Sequence, residues 1–105
     1  MAKGVVDHRP RGVRELEDIE AVFAALSHHT RRTILAVLHA RGGSMSAGDI
    51  AARFDCAWPT TTRHLRVLEH AGLVTVDHRG RERIYRLDRD RLLTVAGRWV
   101  DRFER

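Results

Sequence analysis

Apolar residues recur along the chain first with a helical period and later with a strand period, and the change of period divides the chain into elements. From Glu15 onward Leu16, Ile19, Val22, Phe23 and Leu26 return at spacings of three and four, drawing one apolar stripe along a helix. The fourteen residues before it, with Pro10, Gly12 and little periodicity, read as a flexible basic arm, and the folded unit is expected over residues 15–105. A second helix, capped by Ser27 or His28, buries Ile34, Leu35 and Leu38 and stops at Gly42-Gly43. Ser46 and Asp49 then have the form of a capping box with Asp in place of Glu, opening a short helix that buries Ile50, Ala51 and Phe54. After the turn DCAW, Pro59 suits the first turn of a further helix, because its missing N–H would have no partner there. That helix is expected to run to His70, with Ala71-Gly72 ending it.

Two short helices joined by a tight turn, the second of them amphipathic, make a helix-turn-helix, whose second member normally enters the major groove of DNA. Beyond Gly72 the period drops to two. Leu73, Val74 and Val76 lead into the polar turn His78-Arg79-Gly80-Arg81, and Ile84, Tyr85 and Leu87 follow it as the second strand of a hairpin. From Asp88 a last helix carries Leu92, Leu93, Val95, Ala96, Trp99, Val100 and Phe103, more apolar surface than one flank of a small domain hides. The predicted fold class is therefore mainly α (α+β): a winged helix-turn-helix with about five helices and a two-stranded β-hairpin wing.

Composition narrows the function. A chain of 105 residues matches one domain. No apolar run approaches the ~20 residues that span a bilayer, and the start MAKGVVDHRPRGVR lacks the apolar centre of a secretory signal, so a cytoplasmic location without membrane partners is expected. Cys56 is the only cysteine, which excludes an intrachain disulfide. The 19 Lys+Arg outnumber the 14 Asp+Glu, and all but Lys3 are arginine, whose planar fork suits phosphate and base edges. Arginine enrichment from base composition is the plain alternative, and only the positions of the arginines decide between the two.

Those positions carry a resemblance. ALSHHTRRTILAVL, then GDIAARFDCAWPTTTRHLRVLEHAGLV, then GRERIYRL are similar to the successive signatures of the ArsR/SmtB family of winged-helix transcriptional repressors, over about residues 20–103. The resemblance implies a homodimer built from the first and last helices that binds an inverted repeat in double-stranded DNA. FDCAWP and WVDRFER look closest to branches without the metal-ligand motifs. At 100° per residue, Thr61, Leu65 and Leu68 line the buried side of the helix at 58–70, and Pro59, Thr62, Arg63 and Arg66 share a neighbouring arc. Arg63 is the leading base reader, through a bidentate pair to guanine. Thr60, Thr62 and Ser46 sit near helix N-termini, where hydroxyls suit phosphate oxygens, with capping as the plain alternative. Trp58 either packs the turn or presses a thymine methyl or sugar. His64 belongs to the R-H-L pattern but lies at the edge of the buried arc, where a hydrogen bond inside the fold competes with DNA contact. Arg79, Arg81 and Arg83 are expected to reach phosphates or the minor groove from the wing at 73–87.

The surplus apolar surface assigns a dimer interface to Leu16, Ile19, Phe23 and Leu26 of the first helix with Leu92, Val95, Trp99 and Phe103 of the last. No metal and no cofactor is expected: the third helix reads SAGDIAARF, the last has neither His nor Cys, and the seven histidines are scattered. Cys56 reads as a hydrophobic plug, with a redox switch as the alternative. Catalysis is not expected, because no Gly-rich phosphate loop follows a strand and the cysteine has no identified base partner. The remaining rivals are a protein-interaction module and a regulator answering to a thiol oxidant or an unknown inducer.

Overall fold

The computed structural model describes residues 8–54 and 57–104, and its first helix starts before the apolar stripe does. Helix α1 spans Arg11–Leu26, with Pro10 at its N-cap. The expected start at Glu15 is corrected because the Pro10 carbonyl accepts the Arg14 N–H at 3.0 Å and so opens the ladder one turn earlier. Arg11 also pairs with Glu15 one turn on, and Arg9 pairs with Glu17. Gly12 costs this turn about 1 kcal/mol of helix propensity, yet the helix runs through it.

Helix α2 (His29–Ala40) is capped by His28, whose Nδ1 accepts the Thr30 N–H at 3.1 Å. Ser27, the other expected cap, donates its hydroxyl back to the Ala24 carbonyl instead, at 2.6 Å. At its end the Gly42 N–H reaches the His39 carbonyl and the Gly43 N–H the Leu38 carbonyl, a Schellman arrangement. Strand β1 (Ser44–Ser46) follows, then helix α3 (Ala47–Arg53), capped by the Ser46 hydroxyl accepting the Asp49 N–H at 3.0 Å. Helix α4 (Trp58–His70) has Pro59 in its first turn, as anticipated. It ends in a second Schellman arrangement, with Gly72 at φ +79°.

Strands β2 (Val74–Arg79) and β3 (Glu82–Leu87) form the hairpin, and β1 adds to the free edge of β3, giving a three-stranded antiparallel sheet in the order β1-β3-β2. The two-stranded wing is thus extended by a strand too short for its alternation to register: only Met45, opposite Tyr85, turns inward. The hairpin is also tighter than expected. His78 pairs with Arg83 and Arg79 with Glu82, so the turn is Gly80-Arg81 alone, with positive φ confined to Gly80. The last segment is not one regular helix: α5 (Arg89–Leu92) passes into a π-helical turn (Leu93–Gly97) and then α6 (Arg98–Asp101). The weak helix formers Thr94, Val95 and Gly97 lie in that turn.

One core joins these elements, with Val22, Ile34, Leu38, Ile50, Leu65 and Leu68 almost wholly excluded from solvent. Two arginines fasten its corners. Arg31 on α2 donates Nε to the Ala25 carbonyl at 2.7 Å and a terminal nitrogen to the Ala24 carbonyl at 3.1 Å. Its other terminal nitrogen lies 3.3 Å from His64 Nδ1 on α4. Arg91 on α5 donates Nε to the Ala71 carbonyl at 3.1 Å and pairs with Asp18 of α1 at 3.2 Å. A Cβ on Gly72 would stand 2.9 Å from that Arg91 Nε.

Three outcomes follow from these anchors. Arg31→Ala strips a charged donor from the end of α1 and should cost about 2–3 kcal/mol in urea denaturation. Gly72→Ala, strained by its backbone and crowding Arg91, should cost about 1–2 kcal/mol. His64 supplies the third. Burial, then the neighbouring His28, Arg31 and Arg63, hold its pKa below the ordinary imidazole value of 6.5. The neutral ring is the folded form, so its stabilisation is present above the unfolded pKa and is lost as pH falls through the folded one. Urea midpoints measured between about pH 7.5 and pH 5.5 should drop on acidification. In His64→Gln that drop should be smaller.

Candidate nucleic-acid interface

Helix α4 presents two unlike sides. Thr61, His64, Leu65 and Leu68 are buried, and the Thr61 hydroxyl donates back to the Ala57 carbonyl at 3.3 Å. Trp58, Pro59, Arg63 and Arg66 are exposed, with Thr60 and Thr62 half-buried beside them. The anticipated division of the helix therefore holds for Thr61, Leu65 and Leu68. His64 falls on the inner side: its ring centroid is 4.5 Å from that of His28, and its Nδ1 faces Arg31. That places it inside the fold rather than on the exposed arc with Arg63. Arg63 and Arg66 have no hydrogen-bond or ion-pair partner among the described residues, so both guanidiniums are available to an outside anion.

The start of α4 is joined to the wing. Trp58 is 49% exposed. The Arg83 guanidinium carbon lies 5.9 Å from its ring centroid, a cation–π contact between the first residue of α4 and strand β3. The three wing arginines consequently part company. Arg83 shares the inward sheet face with Tyr85 and Val76, Arg79 stands opposite Glu82 on the other face, and Arg81 occupies the turn. Alternation along β3 hints at this difference, but only the two-residue turn sets the register. Ser46 uses its oxygen as the α3 cap and keeps its hydroxyl proton to donate.

Sequence reasoning missed Arg31 and Arg32 as structural groups. Arg32 donates to the Leu26 carbonyl at 2.8 Å, so both arginines of the T-R-R signature attend to the end of α1 rather than to the exposed arc. The signal was available: a helix ending two residues before a new one leaves open carbonyls that cationic side chains satisfy. Cys56 lies outside the described residues.

The proposed interface residues of the first and last segments divide as well. Leu16, Trp99 and Phe103 are exposed, at 64%, 37% and 67%. Leu26, Leu92 and Val95 pack against the core instead. Phe23 and Trp99 meet edge to face at 5.3 Å, and Trp99 and Phe103 at 5.0 Å, one aromatic row across α1 and the final segment. Val13, Leu93 and Val100 add exposed apolar area outside the anticipated set. Among the described residues no group of three or more His, Cys, Asp or Glu side chains is arranged to hold a metal, and no helix is long and apolar enough to cross a membrane.

Comparison with known proteins agrees with this geometry. A family model described as a helix-turn-helix domain matches residues 26–77. The transcriptional repressor SdpR of Bacillus subtilis is 45% identical over 64 residues, covering 61% of this chain and 68% of the relative. An ArsR-like transcriptional regulator from Rhodococcus sp. RHA1 superimposes with a TM-score of 0.71 at 34% identity, over 85% of this chain and 81% of the other. A homodimeric winged helix-turn-helix DNA-binding domain from Mycobacterium bovis, a possible ArsR-family regulator, gives a TM-score of 0.72 at 25% identity, over 95% and 92%. With a winged helix-turn-helix fold, an unpaired arginine arc on its second helix and this relationship in sequence, the chain belongs to the ArsR family of DNA-binding transcriptional regulators.

Proposed function

We propose that the protein acts as a homodimeric repressor that reads an inverted repeat through the exposed arc of α4 and grips flanking phosphate through the wing. The observation that carries the reading is the unpaired state of Arg63 and Arg66 on the side of α4 turned away from the core. Arg63 donates to a guanine edge, and Thr62 offers a hydroxyl and a methyl beside it. Arg66, Thr60, Ser46, Arg79 and Arg81 hold phosphate, which sets register without specifying sequence. Arg83 acts with Trp58, keeping the wing at a set distance from the start of the recognition helix. His64 serves from behind, by fixing α4 against Arg31.

Dimerisation supplies the second reading head. The exposed Leu16, Trp99, Val100 and Phe103 make an apolar surface on α1 and the last segment that a two-fold axis would bury. SdpR is named a transcriptional repressor and the Mycobacterium bovis domain is described as homodimeric, which supports both halves of the proposal. Binding, rather than catalysis, is the function throughout.

The test is selection of duplexes from a random pool at about 150 mM salt, where non-specific attraction is weakened. An enriched inverted repeat, its half-sites about 34–36 Å apart, is expected. Arg63→Ala should weaken that operator by about 1–3 kcal/mol and relax one base position. Arg66→Ala should weaken all duplexes alike and lower the salt slope by about 1. Sedimentation at micromolar protein should show a dimer for the wild type and both variants. A monomer, or undiminished operator binding by Arg63→Ala, would refute the reading.

A further inference from the structure

A cleft of about 450 Å³ lies between α2, the end of β3 and α5, away from the arginine arc of α4. Leu26, Leu35, Leu87, Leu92 and Leu93 line it with Ala36, and its remaining lining is cationic or titratable: Arg32, His39 and Arg89. No carboxylate lines this apolar part of the cleft. A cavity of this size and apolar character, with a few polar groups at one side, has the form of a small-molecule site. The cleft continues into a polar depression that shares His39, Leu87 and Arg89 and is lined also by Ser44, Thr75, Arg86, Asp88 and Asp90, of which Asp88 is engaged as the cap of α5, accepting the Arg91 N–H. Arg89 and His39 therefore stand where an apolar space meets a wet one.

Their pairing state points to the ligand. Arg32 already donates to the Leu26 carbonyl, and Arg86 is paired with Asp77 at 3.0 Å. Arg89 and His39 are exposed and have no side-chain partner among the described residues. A neutral occupant would leave the Arg89 guanidinium with water alone, and a cation would be repelled by it, whereas a carboxylate accepts a charge-assisted pair there. We infer that the cleft binds a small amphipathic monocarboxylate, its hydrocarbon body against the leucines and its carboxylate on Arg89 and His39. The occupant would touch α1 through Leu26, α2 through Leu35 and the end of β3 through Leu87. Its binding is read on the protein alone, so the inference stands or falls separately from the DNA reading.

Titration calorimetry of the full chain with decanoate, 1-decanol and decyltrimethylammonium, each below its micelle-forming concentration, tests this. Decanoate should bind saturably at one site per chain, decanol roughly tenfold more weakly and the ammonium not at all. Arg89→Gln, an exposed substitution, should bring decanoate down to the affinity of decanol. Ala36→Trp, which fills the cleft from an exposed position, should abolish binding while sedimentation stays unchanged. The inference is overturned if decanoate fails to saturate, if the three probes bind alike, or if Arg89→Gln binds decanoate as tightly as the wild type. It is equally overturned if Ala36→Trp leaves binding intact, or if it dissociates a dimer, because a second copy then occupies the cleft.

Discussion

The orientation of helix α4 depends on a charged side chain placed where α1 runs out of hydrogen-bond partners. The last carbonyls of a helix must be satisfied, and only Ser27 and His28 separate α1 from α2. Arg31 reaches back from α2 to the Ala24 and Ala25 carbonyls and forward to His64. One guanidinium thereby ties three helices. The apolar contacts of Leu65 and Leu68 hold α4 to the core, but such contacts are non-directional and permit rotation about the helix axis. The contact at His64 is directional and adds to that burial one fixed point between α2 and α4.

The arginines divide by the partners that the fold leaves them. Arg31, Arg32 and Arg91 satisfy backbone carbonyls, Arg11 and Arg86 pair with carboxylates, and Arg83 stacks on Trp58. Arg63, Arg66, Arg79 and Arg81 have no such partner among the described residues. Composition therefore overstates the cationic charge that the fold leaves unpaired. The signature arginines of T-R-R hold the end of α1, and the unpaired arginines of α4 are those whose neighbours on the same turn are buried.

The apolar surface divides in a similar way. Phe23, Trp99 and Phe103 make one aromatic row joining α1 to the final segment, which stiffens the flank that remains exposed. The π-helical turn at Leu93–Gly97 shifts the phase of that segment, so residues spaced for one stripe separate into Leu92, Val95 and Ala96 against the core and Leu93, Trp99 and Val100 outward. A regular helix would have set Trp99 on the side of Leu92, Val95 and Ala96.

Element types, helix caps and the inner side of α4 were legible in the sequence because each rests on local rules: period, capping chemistry and Pro or Gly placement. Thr61, Leu65 and Leu68 could be placed by angle alone, and Ser46 by its distance from Asp49. The early start of α1 was not legible, since Gly12 and Pro10 resemble a loop until the Pro10 carbonyl finds Arg14. Strand β1 escaped because three residues carry no period and gain their bonds only from β3. The roles of Arg31, Arg83 and Arg91 depend on partners 6 to 73 residues away or on a ring across the wing, separations that no local pattern encodes. Local chemistry determined which elements form and which of their sides are apolar. Tertiary structure decided which charges are spent inside the fold, because a guanidinium chooses its partner only after the packing has brought carbonyls, rings and carboxylates within reach.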